Sequence, residues 1–146
     1  MGQGNTMKIR EFELQDEDQV ITLWKECKLV VPWNDPKKDI QRKLKVNPEL
    51  FLVGEIDDVI VGSIIGGYEG HRGWVNYLAV SPSHRKKGYG RQLMDAVDVK
   101  LRGMGCAKIN LQVRDTNTEV IEFYKAIGYD LDNVIGMGKR LESDDG

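Results

Sequence analysis

At 146 residues, with 40% apolar and 30% charged side chains, the chain has ordinary globular composition and room for one sizeable core, which excludes a disordered chain. Its formal net charge of −2 excludes a protein that coats nucleic acid, because that role shows a strong basic excess. No apolar run approaches the ~18 residues of a membrane span, and the N-terminus lacks a signal-peptide core, so the expected setting is the cytoplasm with no membrane partner.

Residues 1–6 are polar and read as a loose tail ahead of Met7, a candidate natural start. Lys8 to Phe12 alternates and predicts a first strand. Asp16-Glu-Asp-Gln19 approximates a capping box, followed by Val20, Ile21, Leu23, Trp24 and Cys27 at helical spacing. Val31-Pro-Trp-Asn-Asp-Pro36 breaks that helix. Asp35 then caps a second helix with Pro36 at its first position and a thin apolar face of Ile40 and Leu44; Asn47-Pro48 ends it.

Leu50 to Ile56 predicts a strand, Asp57-Asp58 a two-residue turn, and Val59 to Tyr68 a long return strand whose glycines forecast bulges or close backbone approach. The polar loop Glu69 to Gly73 leads to a third strand, Trp74 to Val80, and the three form an antiparallel meander. After the stretch Val80 to Arg91, a helix buries Leu93, Met94, Val97 and Leu101 and stops at Gly103 or Gly105. Lys108 to Val113 is a strand, parallel to the Trp74 strand because a helix joins them. Asn117 caps a last helix bearing Val120, Ile121, Phe123, Tyr124 and Ile127, with Gly128 at its C′ position. Ile135 to Leu141 reads as a final strand. The order β-α-α-β-β-β-α-β-α-β describes a mixed α/β (α+β) fold on one sheet, with a single domain over 7–142 and an acidic tail over 143–146. Cys27 and Cys106 lie inside elements without metal-type spacing and read as reduced core thiols; no metal is expected.

The sharpest chemistry sits at Arg85-x-x-Gly88-x-Gly90. A buried strand feeds a basic turn that opens a helix, which gathers backbone N–H groups and the positive helix end where a phosphate would bind. Gly88 and Gly90 remove side chains from the approach, and Arg85, Lys86 and Arg91 add charge. The competing reading is a surface turn with solvated charges. No Gly-Lys-Ser/Thr ending is present, so this is no P-loop, and Leu93 stands where a dinucleotide fingerprint needs a small residue.

Val80-Ser-Pro-x-x-Arg85-x-x-Gly88-x-Gly90 resembles the first motif of the GNAT family of N-acetyltransferases. Asn117-x-x-x-x-x-Phe123-Tyr124-x-x-x-Gly128-Tyr129 resembles their second, in family order and at family spacing. Trp33-Asn-Asp-Pro36 and Gly66 to Gly73 also resemble the small bacterial members. The resemblance implies a mostly antiparallel central sheet with one parallel, splayed strand pair, and acetyl-CoA as co-substrate. It places the pantetheine arm on Leu78, Ala79 and Val80 and the pyrophosphate on Arg85, Lys86, Lys87, Gly88, Tyr89, Gly90 and Arg91. It gives Asn117 a cofactor contact, and Tyr124 the cofactor sulfur with the role of general acid. The partners implied are an acyl-CoA donor and an amine acceptor, either a small molecule or a protein N-terminus or lysine; a homodimer stays open.

The implied reaction is direct attack of a neutral amine on the thioester in a ternary complex, and no motif contains a cysteine that would carry the acyl group. Freeing a lysine amine of pKa about 10.4 at pH 7 costs roughly 4.6 kcal/mol, against about 1 kcal/mol for an α-amine near 7.8, so the need for a base depends on the acceptor. Glu69 and His71 are the candidate bases and weak substrate contacts, with water as the alternative. Trp33 is a further candidate for lining the acceptor pocket. Two other readings remain: a catalytically silent acyl-CoA-binding or regulatory module of this fold, and a structural domain without a small ligand.

Overall fold

The segment Phe51 to Ile56 is apolar on both faces. Phe51 and Val53 enter one core, Leu52 and Ile56 another, so the strand must be covered on both sides. The computed structural model, which describes residues 6–144, meets that demand with three layers. Residues 1–5 of the expected tail, and 145–146 at the other end, lie outside the described residues. The sheet runs β1 (Lys8–Glu11), β2 (Phe51–Ile56), β3 (Val59–Tyr68), β4 (Gly73–Val80) and β5 (Ile109–Asn110) in sequence order. The first four are antiparallel neighbours, and β5 lies parallel to β4. Asp57 and Asp58 both take left-handed φ, 50° and 67°, as a two-residue hairpin turn requires.

Helices α1 (Glu17–Glu26) and α2 (Pro36–Lys43) cover one face of the sheet, and α3 (Tyr89–Gly103) and α4 (Thr118–Ala126) the other. The four expected apolar residues of α3, Leu93, Met94, Val97 and Leu101, are all buried. They come close to the sheet because β3 is bare where they land. A Cβ on Gly62 would stand 2.9 Å from Leu93 Cδ1, and one on Gly66 3.0 Å from Val97 Cγ1. Substituting either would push α3 off the sheet.

Three expectations change. Asp16 does not cap α1 with its side chain; it is buried against Arg10 at 2.7 Å and accepts the Glu13 amide, closing a 3-10 turn ahead of the helix. The strand expected over Lys108 to Val113 is paired only at Ile109 and Asn110, because β4 and β5 diverge beyond that point. Ile135 to Leu141 forms no strand: Gly136 and Gly138 interrupt it, and Ile135, Met137 and Leu141 stand in solvent instead of on a sheet face. Within the expected acidic tail, Asp144 is seated on α2, its side chain 2% exposed.

Candidate active site

The site is organised by an irregularity in β4. Ser63 pairs with Ala79 and Ile65 with Asn76, so β4 carries one more residue than β3 over this interval. The extra residue is absorbed at Tyr77, which has φ 52°, a left-handed conformation costly for a tyrosine. Three groups hold it there. The buried Trp24 Nε1–H donates to Ser63 Oγ at 2.8 Å, the Ser63 hydroxyl donates to the Tyr77 carbonyl at 2.9 Å, and the Tyr77 ring stacks on Trp24 at 3.9 Å between centroids. The bulge has a consequence for facing. Asn76 and Tyr77, neighbours in sequence, both line the same cavity on the α1–α2 side, which regular alternation forbids.

Past Trp74 and Asn110 the parallel pair splays, which leaves Leu78 to Val80 without a partner on their β5 side. One lip of the splay leads to the basic turn. The Val80 carbonyl accepts Arg85 Nε at 3.2 Å, which folds the turn back on the strand end. Lys86 and Gly88 are left-handed, at φ 65° and 82°, and Gly88 is the N-cap of α3. The first amide to bond back within the helix is that of Gln92, to Gly88 O at 3.1 Å. The amides of Tyr89, Gly90 and Arg91 precede it at the positive end of a 15-residue helix with no acidic residue in its first turn. Arg85, Lys86, Lys87, Gly88 and Arg91 are exposed around them. These residues fit an anionic pyrophosphate. Gly90 does a second job, since a Cβ there would stand 3.3 Å from the Phe123 ring, so its bareness lets α4 close on α3.

Tyr124 sits on α4 at the base of the splay, 8% exposed. Its ring lies edge-on to Phe123 at 5.1 Å and Tyr129 at 5.6 Å. The same apolar cluster takes in Leu78 and Val80 from β4 and Leu111 and Val113 from beyond β5, the two sides of the gap. Burial, and then Tyr129, pushes its pKa up to about 12. Among the described residues its hydroxyl has no hydrogen-bond partner, yet no buried side-chain oxygen is left unsatisfied, so that oxygen keeps some contact with solvent. Asn117 occupies the N-cap of α4 but makes no side-chain cap bond, so its exposed amide is free to meet a ligand.

At the bulge of β4 lies a cavity of about 540 Å³, lined among others by Trp33, Asn34, Asp39, Lys43, Asn76, Tyr77 and Arg114. Arg114 lies over the Trp33 ring at 5.9 Å. Asp39 accepts the Tyr77 hydroxyl at 2.6 Å and Arg42 at 2.9 Å. Trp33, the candidate for an acceptor pocket, lines this cavity. Asp39, Lys43, Asn76, Tyr77 and Arg114 were not foreseen, because they meet only through the bulge and the α1–α2 packing. The one local signal was the density of polar residues in α2.

Glu69 and His71 do not reach this cavity. They lie in the β3–β4 loop, at the Gly73 end of a strand about 23 Å long, whereas the basic turn follows its Val80 end. Glu69 Oε1 accepts the backbone amides of Arg72, at 2.8 Å, and His71, which hold its carboxyl below the usual range. Among the described residues no cluster of His, Cys, Asp and Glu suits a metal, and no helix is long and apolar enough to cross a membrane.

The sheet, its bulge, its splayed parallel pair and the basic helix start define an acyltransferase architecture, and comparison with known proteins agrees. Residues 17–129 match the model of the acetyltransferase (GNAT) family. An acetyltransferase of Sodalis glossinidius is 49% identical over 139 residues, which span 94% of this chain and 98% of that one. Among solved structures, Ard1 from Thermoplasma volcanium superposes with a TM-score of 0.72 at 26% identity, covering 86% of this chain and 84% of its own. The aminoglycoside N-acetyltransferase AAC(6′)-Iy, solved with CoA, shares the fold with a TM-score of 0.77 at 21% identity, covering 96% of this chain and 99% of its own. The chain belongs to the GNAT family and is an acetyl-CoA-dependent acetyltransferase.

Proposed function

We propose that the protein transfers an acetyl group from acetyl-CoA to a primary amine by direct attack, with both substrates bound at once on opposite lips of the β4–β5 splay. The observation that carries this reading is that β4 serves two unlike surfaces, the amide-rich start of α3 beyond its Val80 end and the cavity of Asn76 and Tyr77 at its bulge. Acetyl-CoA supplies an activated acyl group and a thiol leaving group. The amides of Tyr89 to Arg91, with Arg85, Lys86 and Lys87, bind its pyrophosphate. The free edge of Leu78, Ala79 and Val80 pairs with the pantetheine arm and offers an N–H to polarise the thioester carbonyl. The Asn117 side chain adds a cofactor contact.

Tyr124 donates its proton to the departing sulfur. Its raised pKa keeps the hydroxyl protonated at every physiological pH, which an acid requires. Water is the proton acceptor we favour for the amine. Glu69 is ill suited, because its carboxylate is already committed to two amides that make it a weaker base. His71 stands in the same loop, with Nδ1 3.3 Å from Arg72 Nη1.

The experiment is an amine-acceptor screen followed by CoA release, with acetyl-CoA binding measured by thermal shift. Acetyl-CoA at 100 times its Kd is expected to stabilise the fold by about 2.7 kcal/mol. Amine-dependent thiol release is expected in the same samples. Binding without turnover across the whole panel would favour a silent acyl-CoA module instead, and no shift at millimolar acetyl-CoA would sink both.

A further inference from the structure

The charge of the acceptor-side cavity points to a kind of acceptor. Lys28, Lys43 and Arg114 line it, against one carboxylate, Asp39. That carboxylate is already engaged by Arg42 and by the Tyr77 hydroxyl. The next acids are engaged too: Asp144 binds Arg42 at 2.5 Å, and Glu49 faces Lys43. The cavity is therefore cationic on balance, and a polyamine or aminoglycoside would enter it against like charge.

Each cation is placed by the fold. Lys28 follows the end of α1 in a left-handed conformation, φ 60°, with the Leu29 amide bonded back to the Trp24 carbonyl at 2.9 Å. This is a helix stop that ordinarily takes glycine, yet here it carries a lysine beside the cavity. Lys43 is half-buried, its ammonium donating to the Gly66 carbonyl, and burial lowers its pKa. Arg114 lies four residues past the end of β5, its guanidinium carbon 5.9 Å from the centre of the Trp33 ring. An arginine held on an aromatic face keeps its N–H edge free for a planar or tetrahedral anion.

We propose that the acceptor is a small-molecule amine that also bears an anionic group, a carboxylate or a phosphate, held by Arg114, Lys28 and Lys43 while its amine points to the splay. The proposal rests on the reading of this cavity as the acceptor site. Its volume suits a small molecule better than a folded protein segment.

The test uses four amines of one chain length, so that amine basicity varies little: 4-aminobutanoate, 3-aminopropylphosphonate, 4-aminobutanamide and 1,4-diaminobutane. Acetylation is followed by CoA release, and binding of each amine to the CoA-bound protein by calorimetry. At least tenfold higher kcat/KM, or tenfold tighter binding, is expected for an anionic member over the carboxamide, with the diamine poorest. Which anion leads distinguishes carboxylate from phosphate acceptors. In Arg114→Gln and Lys28→Gln, both exposed positions, the ratio of anion to carboxamide should fall towards one while acetyl-CoA still raises the Tm. Equal handling of all four amines, or preference for the diamine, overturns the inference and leaves the acetyltransferase reading intact. Loss of the acetyl-CoA shift in either variant also overturns it, because the cations would then serve the donor. Should no amine turn over, the calorimetric ratio still decides the anion preference, and the turnover failure counts against the catalytic reading alone.

Discussion

The two lips of the β4–β5 splay are built in opposite ways. The donor lip is local: a strand end, a turn of a few residues and a helix start, Val80 to Arg91, with its cations in solvent. The acceptor lip is assembled from distant pieces: the end of α1, the α1–α2 loop, α2, the bulge of β4 and Arg114 beyond β5. A local device offers little but backbone N–H groups and charge, which suits a ligand shared by many enzymes. A device assembled from five segments varies whenever any segment does, which suits a substrate particular to one enzyme. Tyr124, on α4 in one apolar cluster with Leu78 and Val80, should be indifferent to which acceptor is used.

The largest effect is therefore expected at Tyr124. Tyr124→Phe keeps the ring contacts with Phe123 and Tyr129 and removes only the hydroxyl. kcat should fall about 10²–10⁴-fold for every acceptor, with acetyl-CoA affinity and Tm retained. An acceptor whose rate is unaffected would remove Tyr124 from the reaction. In the wild type, kcat should rise with pH as the amine deprotonates. Its alkaline decline through Tyr124 should come only near the pKa of about 12, because the acid is competent below its pKa and spent above it.

On the donor lip, Gly88→Val should raise the KM for acetyl-CoA about tenfold. The position has room for a side chain but a φ of 82°, so the substitution meets backbone strain, not a clash. A β-branched residue there costs about 1–2 kcal/mol. If the turn escapes that cost by changing φ, it re-aims the amides of Tyr89 to Arg91. Gly88→Asn, which tolerates the left-handed region, should be milder. Equal effects from Val and Asn would mean that strain is not the cause. Neither substitution should shift the ranking of acceptors.

The same contrast governs what could be read from the chain. The basic turn, α3 with its four buried residues, the α4 cap position and the meander follow from local pattern, because their determinants lie within a few residues of one another. Both motifs of the resemblance are local in this sense. The facing of Asn76 and Tyr77 depends on Ser63 and Trp24, thirteen or more residues away, and no periodicity in β4 announces it. Glu69 and His71 were attractive as bases because a polar loop beside a strand looks like a site. Whether that loop borders an acceptor pocket depends on how α1 and α2 pack, and the cavity of Asn76 and Tyr77 is lined from α2 and the segment between α1 and α2 and not from this loop. Asp16 looked like a cap from its spacing, but the half-buried Arg10 outcompeted the helix end for its buried carboxylate. The final strand failed because alternation in Ile135 to Leu141 predicts a face without supplying a neighbour to cover it.

Ser63→Ala tests the acceptor lip at its root. It would leave the Trp24 N–H and the Tyr77 carbonyl without their bonds, at a cost of about 1–3 kcal/mol. For a domain of this size each kcal/mol lowers Tm by about 2–4 °C. With the bulge loosened, KM for the amine should rise more than KM for acetyl-CoA. The reverse order would mean that the bulge serves the donor and that the two lips are not independent.

The smallest effect is expected at Asp144, the outermost brace of the acceptor lip. Its carboxylate accepts Arg42 at 2.5 Å and the Asp35 amide at 2.9 Å, and Arg42 in turn holds Asp39 against Tyr77. Arg42, the Asp35 amide and then the nearby Arg140 lower the Asp144 pKa to about 2. The folded pKa is below the unfolded one of about 3.9, so the bond's stabilisation is complete above that value and is lost as pH falls through about 2. Asp144→Asn should therefore lower Tm by a similar small amount from pH 8 down to pH 5, and the gap to wild type should close between about pH 4 and pH 2. Much of the pair faces water, since the Arg42 side chain is 44% exposed, so salt should shrink the gap as well. A slight rise in the amine KM with no change for acetyl-CoA would place the brace on the acceptor lip. A change confined to acetyl-CoA would break the division between the lips at its weakest point.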